Sequence, residues 1–243
     1  HHTGQKGAVY LHLPHLHAHI YPDKCAGAFQ EGRMVAHRAY KGKKLERNTG
    51  AERHRQVMPM KHIYILLTKT KSVPSRIIGL FTRATYTHVA IAFDDEPEIF
   101  YSFSRLRERF PLPGGLTTES PYSGFLGSHG ESLCRLVCLE VSERAAERAR
   151  MRVRRMMKSH SLFRYSLLGC IACRFGIEHR RRGYYFCSQF VGEILEKSGA
   201  ASFDKSVSLL RPDDFLLLPR IRSIFCGTAG ELANVLKAKK VFS

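Results

Sequence analysis

The stretch from Gly183 to Gly199, Gly-Tyr-Tyr-Phe-Cys-Ser-Gln-Phe-Val-Gly-Glu-Ile-Leu-Glu-Lys-Ser-Gly, leaves little freedom in how it folds. Phe190, Val191, Ile194 and Leu195 recur at helical spacing, Glu193, Glu196 and Lys197 face away, and Gly199 supplies a left-handed stop. Gly183 and the aromatic run before Cys187 are poor helix interior, so the helix is predicted to begin close to Cys187. A cysteine in a first helical turn meets unpaired backbone N–H groups and the positive end of the helix dipole. Thiols so placed fall below the ordinary pKa of about 8.5, and the thiolate is the nucleophile. A buried cysteine that only packs at a helix start is the plainer alternative. A partner base separates the two.

The chain before Met60 has a different character from the chain after it. Over residues 1–59 the apolar residues keep no period, and His12, His15, His17 and His19 crowd together. On a strand the last three would share one face and could hold a divalent metal, but no carboxylate or cysteine pattern completes such a site, so no metal is expected. The segment reads as a basic, His-rich leader, poorly ordered or outside the native domain. Met60-Lys61-His62-Ile63-Tyr64-Ile65-Leu66-Leu67 looks instead like a natural start that runs directly into a strand. Residues 60–243 are therefore predicted to fold as one domain without the leader.

Within that domain Ile63 to Thr68 is a buried strand, and Ile77, Ile78, Leu80 and Phe81 give a short helix after the capping chemistry at Ser72–Ser75. Thr85 to Phe93 and Glu98 to Ser104 form a hairpin across the turn at Asp94–Pro97. Prolines and glycines make residues 105 to 131 a long loop, a rim or lid. Leu133 to Val141 returns to strand, and Ser142 caps a helix that runs to Lys158. A second helical run, Arg164 to Ile177, carries Cys170 and Cys173 among apolar neighbours, where core packing explains the pair better than metal or redox chemistry. After the Cys187 helix, Pro212–Leu218 gives one more helical turn before a basic tail.

Composition limits the partners. A formal charge of +18 suits nucleic acid, an anionic membrane surface or acidic substrates. Zinc-finger spacing, RNA-recognition aromatics and a helix-turn-helix pattern are all missing, so no specific nucleic acid is expected. A solvated basic surface is the default, with a weak contact to an anionic membrane as an addition. Seven irregularly spaced cysteines fit reduced thiols and a cytoplasmic setting, and no run reaches the ~20 apolar residues of a membrane span.

A cysteine nucleophile needs a histidine base and a third polar group to orient the imidazole. Of the five histidines after Met60, His88 is the best placed, at the start of a strand between Thr87 and Val89. The order Thr87-His88-Val89-Ala90-Ile91, a hairpin strand, and then Tyr185-Phe186-Cys187-Ser188-Gln189-Phe190-Val191 resembles the circularly permuted branch of the NlpC-type papain-like cysteine hydrolases. In that branch the histidine strand precedes the cysteine helix. The resemblance spans roughly residues 60–220 and includes Arg211-Pro212-Asp213-Asp214-Phe215 as a closing segment.

The resemblance implies an α+β fold, an antiparallel sheet packed against helices with the nucleophile at a helix N-terminus. It makes Cys187 the nucleophile and His88 its base, with the third residue on the next strand. There the sequence offers Ser102 first and Ser104 on the same face behind it, while Glu98 sits early. The implied activity is that of a thiol hydrolase cutting an amide or peptide bond through an acyl-enzyme, without a cofactor. The alternatives are a lipid-acting acyltransferase or thioesterase, as in the related lecithin:retinol acyltransferase-like proteins, and a non-catalytic binding module. The substrate would be a peptide, an amide or an acyl lipid.

Overall fold

A strand apolar at nearly every position must be buried on both faces, and the run from Met60 is such a strand. In the computed structural model, which describes residues 60–69, 85–94, 96–105 and 114–240, this run is β1 (Met60–Lys69), an interior strand with a partner on each side. On one side it pairs with β2 (His88–Phe93), on the other with β5 (Leu133–Ser142), both antiparallel. Outward from β2 lie β3 (Glu96–Arg105) and β4 (Gly114–Glu119), and outward from β5 lies β8 (Ile221–Thr228). The sheet order is β4-β3-β2-β1-β5-β8, antiparallel at every step.

Alternation along the strands feeds two apolar layers. Ile63, Ile65, Leu67, Val89, Ile91, Val137 and Leu139 face one layer, while Tyr64, Leu66, Ala90, Ala92, Leu136 and Cys138 face the other. The first layer is closed by α2 (Glu143–Lys158) and α4 (Cys187–Ser198), through Ala145, Ala149, Val153, Phe190, Val191, Ile194 and Leu195. The second is closed by α1 (Gly124–Ser128) and α5 (Ala229–Lys240), through Leu126, Leu232 and Leu236. Between α2 and α4 run a two-residue strand β6 (Arg164–Tyr165), α3 (Leu167–Arg174) and β7 (Tyr184–Tyr185), with β6 and β7 paired in parallel. The architecture is mixed α+β, a six-stranded antiparallel sheet with helices on both faces.

Most predicted elements are present. The hairpin strands, the strand from Leu133, the Ser142-capped helix and the Cys187 helix lie where expected, and the Ser142 hydroxyl accepts from the Ala145 N–H at 3.3 Å. Three expectations fail. Residues 105 to 131 are not all loop, because they contain β4 and α1. The helical run expected over Arg164–Ile177 is shorter, with β6 before it. The basic tail is also structured, since β8 completes the sheet and α5 covers its second face. The leader of residues 1–59 with the cluster His12, His15, His17 and His19, and the helix expected at Ile77–Phe81, lie outside the described residues.

Candidate active site

The helix α4 begins at Cys187 because the residues before it are held extended. Phe186, the residue preceding the helix, has φ −112° and ψ 167°, and Gly183 turns the chain with φ +79°. Cys187, Phe190, Val191, Ile194 and Leu195 share the sheet-facing side at helical spacing. The sulfur-bearing residue is therefore pressed against the sheet rather than into solvent, and only 7% of it is exposed. Two contacts fix the first turn. Ser188 Oγ donates to the Leu210 carbonyl at 2.6 Å, and the Phe190 ring packs on Phe103 of β3 with centroids 5.3 Å apart. Gly199 ends the helix in the left-handed region at φ +76°, as its sequence position predicts.

His88 opens β2 and is approached through Thr85, Tyr86 and Thr87. That entry is tied down by the closing segment: the Asp213 carboxylate accepts the Thr85 N–H at 2.8 Å and the Tyr86 N–H at 3.1 Å. The Thr87 N–H adds a bond to the Thr68 carbonyl at 2.9 Å. Asp213→Ala leaves two backbone donors without their acceptor, a loss of about 1–3 kcal/mol. The expected result is a melting temperature lower by about 2–4 °C per kcal/mol, with slower alkylation of Cys187 because His88 loses its mooring. Thermal unfolding followed beside thiol labelling checks both, and Asp213→Asn, which keeps one acceptor oxygen, should lie between.

The His88 ring sits between an acid and the thiol. Its Nε2 lies 2.9 Å and 3.0 Å from the two carboxylate oxygens of Glu119, the last residue of β4. The ring is also hydrogen-bonded to Cys187. With Nε2 taken by Glu119, Nδ1 is the nitrogen left to meet the sulfur. The side chains of His88 and Glu119 are only 17% and 15% exposed. Burial opposes charge on the ring, but the Glu119 carboxylate and the hydrogen bonds to Cys187 and Glu119 outweigh it, so the His88 pKa stands well above its usual value. Burial likewise opposes charge on Glu119, yet the His88 charge and hydrogen bonds from His88 and Ser104 hold its carboxyl below the ordinary range.

The structure brings Glu119 to the imidazole and ties Ser102, the expected third residue, elsewhere. Ser102 is fully buried, and its hydroxyl donates to the Val89 carbonyl at 2.7 Å, which makes it a brace between β3 and β2. The imidazole hydrogen-bonds instead to Glu119, one strand further out. Ser104 contributes indirectly, through its bond to Glu119. Glu119 was hidden in a stretch bounded by Pro113 and Pro121, where Leu116-Thr117-Thr118 was the one β-rich signal available.

The other free thiols differ from Cys187 in setting. Burial raises Cys134 to about 12, Cys138 to about 11 and Cys170 to about 12, and it raises Cys173 as well. Cys173 is packed inside, with its sulfur 3.6 Å from the Leu210 carbonyl oxygen, in line with the structural role expected of it. Tyr165 hydrogen-bonds to Cys170, and burial followed by the nearby Cys170 and Cys187 sulfurs raises its hydroxyl pKa. Among the described residues no group of three or more His, Cys, Asp or Glu side chains is arranged to hold a metal, and no helix is long and apolar enough to cross a membrane. The chain matches no family model, no curated protein and no solved structure.

Proposed function

We propose that this chain is a cysteine hydrolase of permuted papain-like type, cleaving an amide or peptide bond through an acyl-enzyme on Cys187. The observation that carries the reading is the His88 ring, held at Nε2 by Glu119 and hydrogen-bonded to Cys187 at the start of α4. An acid, a histidine and a thiol in line are what a nucleophilic cysteine requires. The chain order, histidine strand before cysteine helix, agrees with the permuted branch that the sequence resembles.

The chemistry follows from the placement. The Cys187 thiol proton passes to His88, and Glu119 stabilises the imidazolium. The sulfur attacks the acyl carbonyl, forming the S–C bond, and the backbone N–H groups of the first helical turn offer donors to the oxyanion. His88 gives its proton to the leaving nitrogen as the C–N bond breaks. Water then gives a proton to His88 and attacks the thioester, and the C–S bond breaks to release the acid and restore the thiol–imidazole pair.

An activated ester tests the covalent step without knowledge of the natural substrate. Incubation with p-nitrophenyl acetate is expected to add the mass of one acetyl group, mapped by peptide mass to Cys187, and Cys187→Ala should remain unmodified. An adduct confined to Cys170 or Cys173, or neither an adduct nor release of p-nitrophenolate faster than by Cys187→Ala, would remove the enzymatic reading in favour of a binding module.

A further inference from the structure

The helix α3 is inverted relative to the usual economy of a globular surface, because its apolar residues point outward. Leu167, Leu168, Ile171 and Phe175 fall on one side of the helix, while Gly169 and Cys173 face the interior. Leu168 is 67% exposed and Phe175 73%, and Leu162 and Ile177, which flank the helix in sequence, are exposed as well. An exposed apolar helix face with polar surroundings marks an interaction surface.

Its surroundings are cationic. The chain leaving α3 returns through residues 175–183 to β7, which pairs with β6 just ahead of α3, so this loop runs back alongside the helix. It carries Arg180, Arg181 and Arg182, all exposed, and β6 supplies Arg164. Arg181 is stacked over the Tyr184 ring at 4.0 Å and Arg180 donates to Ser206 Oγ at 2.9 Å, so both are anchored at the surface. From Lys158 to Arg182 the only acidic residue is Glu178.

We propose that α3 and the 175–183 loop form a docking surface for an anionic lipid bilayer, with the apolar face seated among the headgroups and the arginines on lipid phosphates and carboxylates. Outward leucines and a phenylalanine beside clustered arginines are the chemistry of an interfacial helix, and a helix this short needs the second, electrostatic signal to hold. A second copy of the chain fits poorly, because two such patches face to face would oppose arginine to arginine on proteins of formal charge +18. The surface adjoins the candidate site: Gly169 of α3 faces the Phe186 ring, and Cys170 is near enough to Cys187 to feel its charge. The docking itself does not depend on catalysis.

Sedimentation of the full chain with phosphatidylcholine vesicles, with and without phosphatidylserine, tests the surface. Binding is expected to phosphatidylserine-containing vesicles, and to weaken as salt is raised. Leu168→Glu with Phe175→Glu should abolish it while leaving the melting temperature near that of the parent chain, since both positions are exposed. Arg164→Gln with Arg182→Gln should weaken it by about fivefold per charge removed. Failure to bind phosphatidylserine-containing vesicles, binding unchanged in Leu168→Glu with Phe175→Glu, or a soluble dimer that these two substitutions break would each overturn the proposal. Because Cys187→Ala should bind vesicles as the parent does, loss of the catalytic reading and loss of this surface are read separately.

Discussion

Alanine in place of His88 is expected to slow release of acetate from acetylated Cys187 by about 10²- to 10⁴-fold, the share that a positioned acid–base group contributes. The first step should suffer too. An unassisted thiol is only a few per cent thiolate at neutral pH, so alkylation of Cys187 by iodoacetamide should fall by about tenfold or more. His160→Ala is the control, since that ring is exposed and bonded locally to the Met157 carbonyl oxygen at 3.1 Å. Rates measured by mass spectrometry on both variants decide the matter. Equal alkylation of the parent chain and His88→Ala would mean that the ring does not activate the sulfur.

Glu119→Gln should act on the same ring from its other side. The glutamine keeps the size of the side chain but removes the charge that outweighs burial, so the His88 pKa should drop, and the ring should be neutral at a pH where the parent is imidazolium. Imidazole NMR shifts followed through a pH titration read this directly. Stability carries the same signature. His88 has a raised pKa, so its contribution is complete below about 6.5 and is lost as pH rises through the folded value. Glu119 has a lowered pKa, so its contribution is present above about 4.5 and is lost as pH falls through the folded value. The parent's advantage over Glu119→Gln should therefore be greatest between about pH 4.5 and 6.5, shrinking on either side. Ser102→Ala should cost about 1 kcal/mol of stability through its lost bond to Val89, yet leave the His88 titration in place. A shift of that titration in Ser102→Ala, with none in Glu119→Gln, would reverse the roles assigned to the two residues.

Cys187 and His88 were legible because each sits where a local rule operates. The apolar spacing from Phe190 to Leu195 and the stop at Gly199 define one helix, and its start falls on the cysteine. The β-rich run Val89–Phe93 defines a strand, and its first residue is the histidine. Glu119 obeys no such rule, because the glycines that begin its strand look like loop chemistry. Their cause is tertiary. A Cβ at Gly114 would stand 2.8 Å from the Tyr165 Cβ and 3.0 Å from the Ser104 carbonyl oxygen, so glycine there permits β6 to cross closely over the sheet edge. The C-terminal strand and helix were missed for a related reason. Gly227 and Gly230 interrupt their apolar residues, and it is the second face of the sheet that gives Leu232 and Leu236 something to cover.

The tie between Asp213 and the backbone at Thr85 and Tyr86 joins positions 128 and 127 residues apart in sequence. On a ribosome the chain emerges at about 5–20 residues per second, so the His88 strand waits several seconds for that carboxylate after it has left the tunnel. Glu119 and then Cys187 emerge within that interval, but the entry to β2 stays unmoored until Asp213 follows. If Cys187 is the nucleophile proposed above, its histidine strand is moored only once Asp213 has emerged, and a chain cut short before that residue carries the sulfur without that mooring.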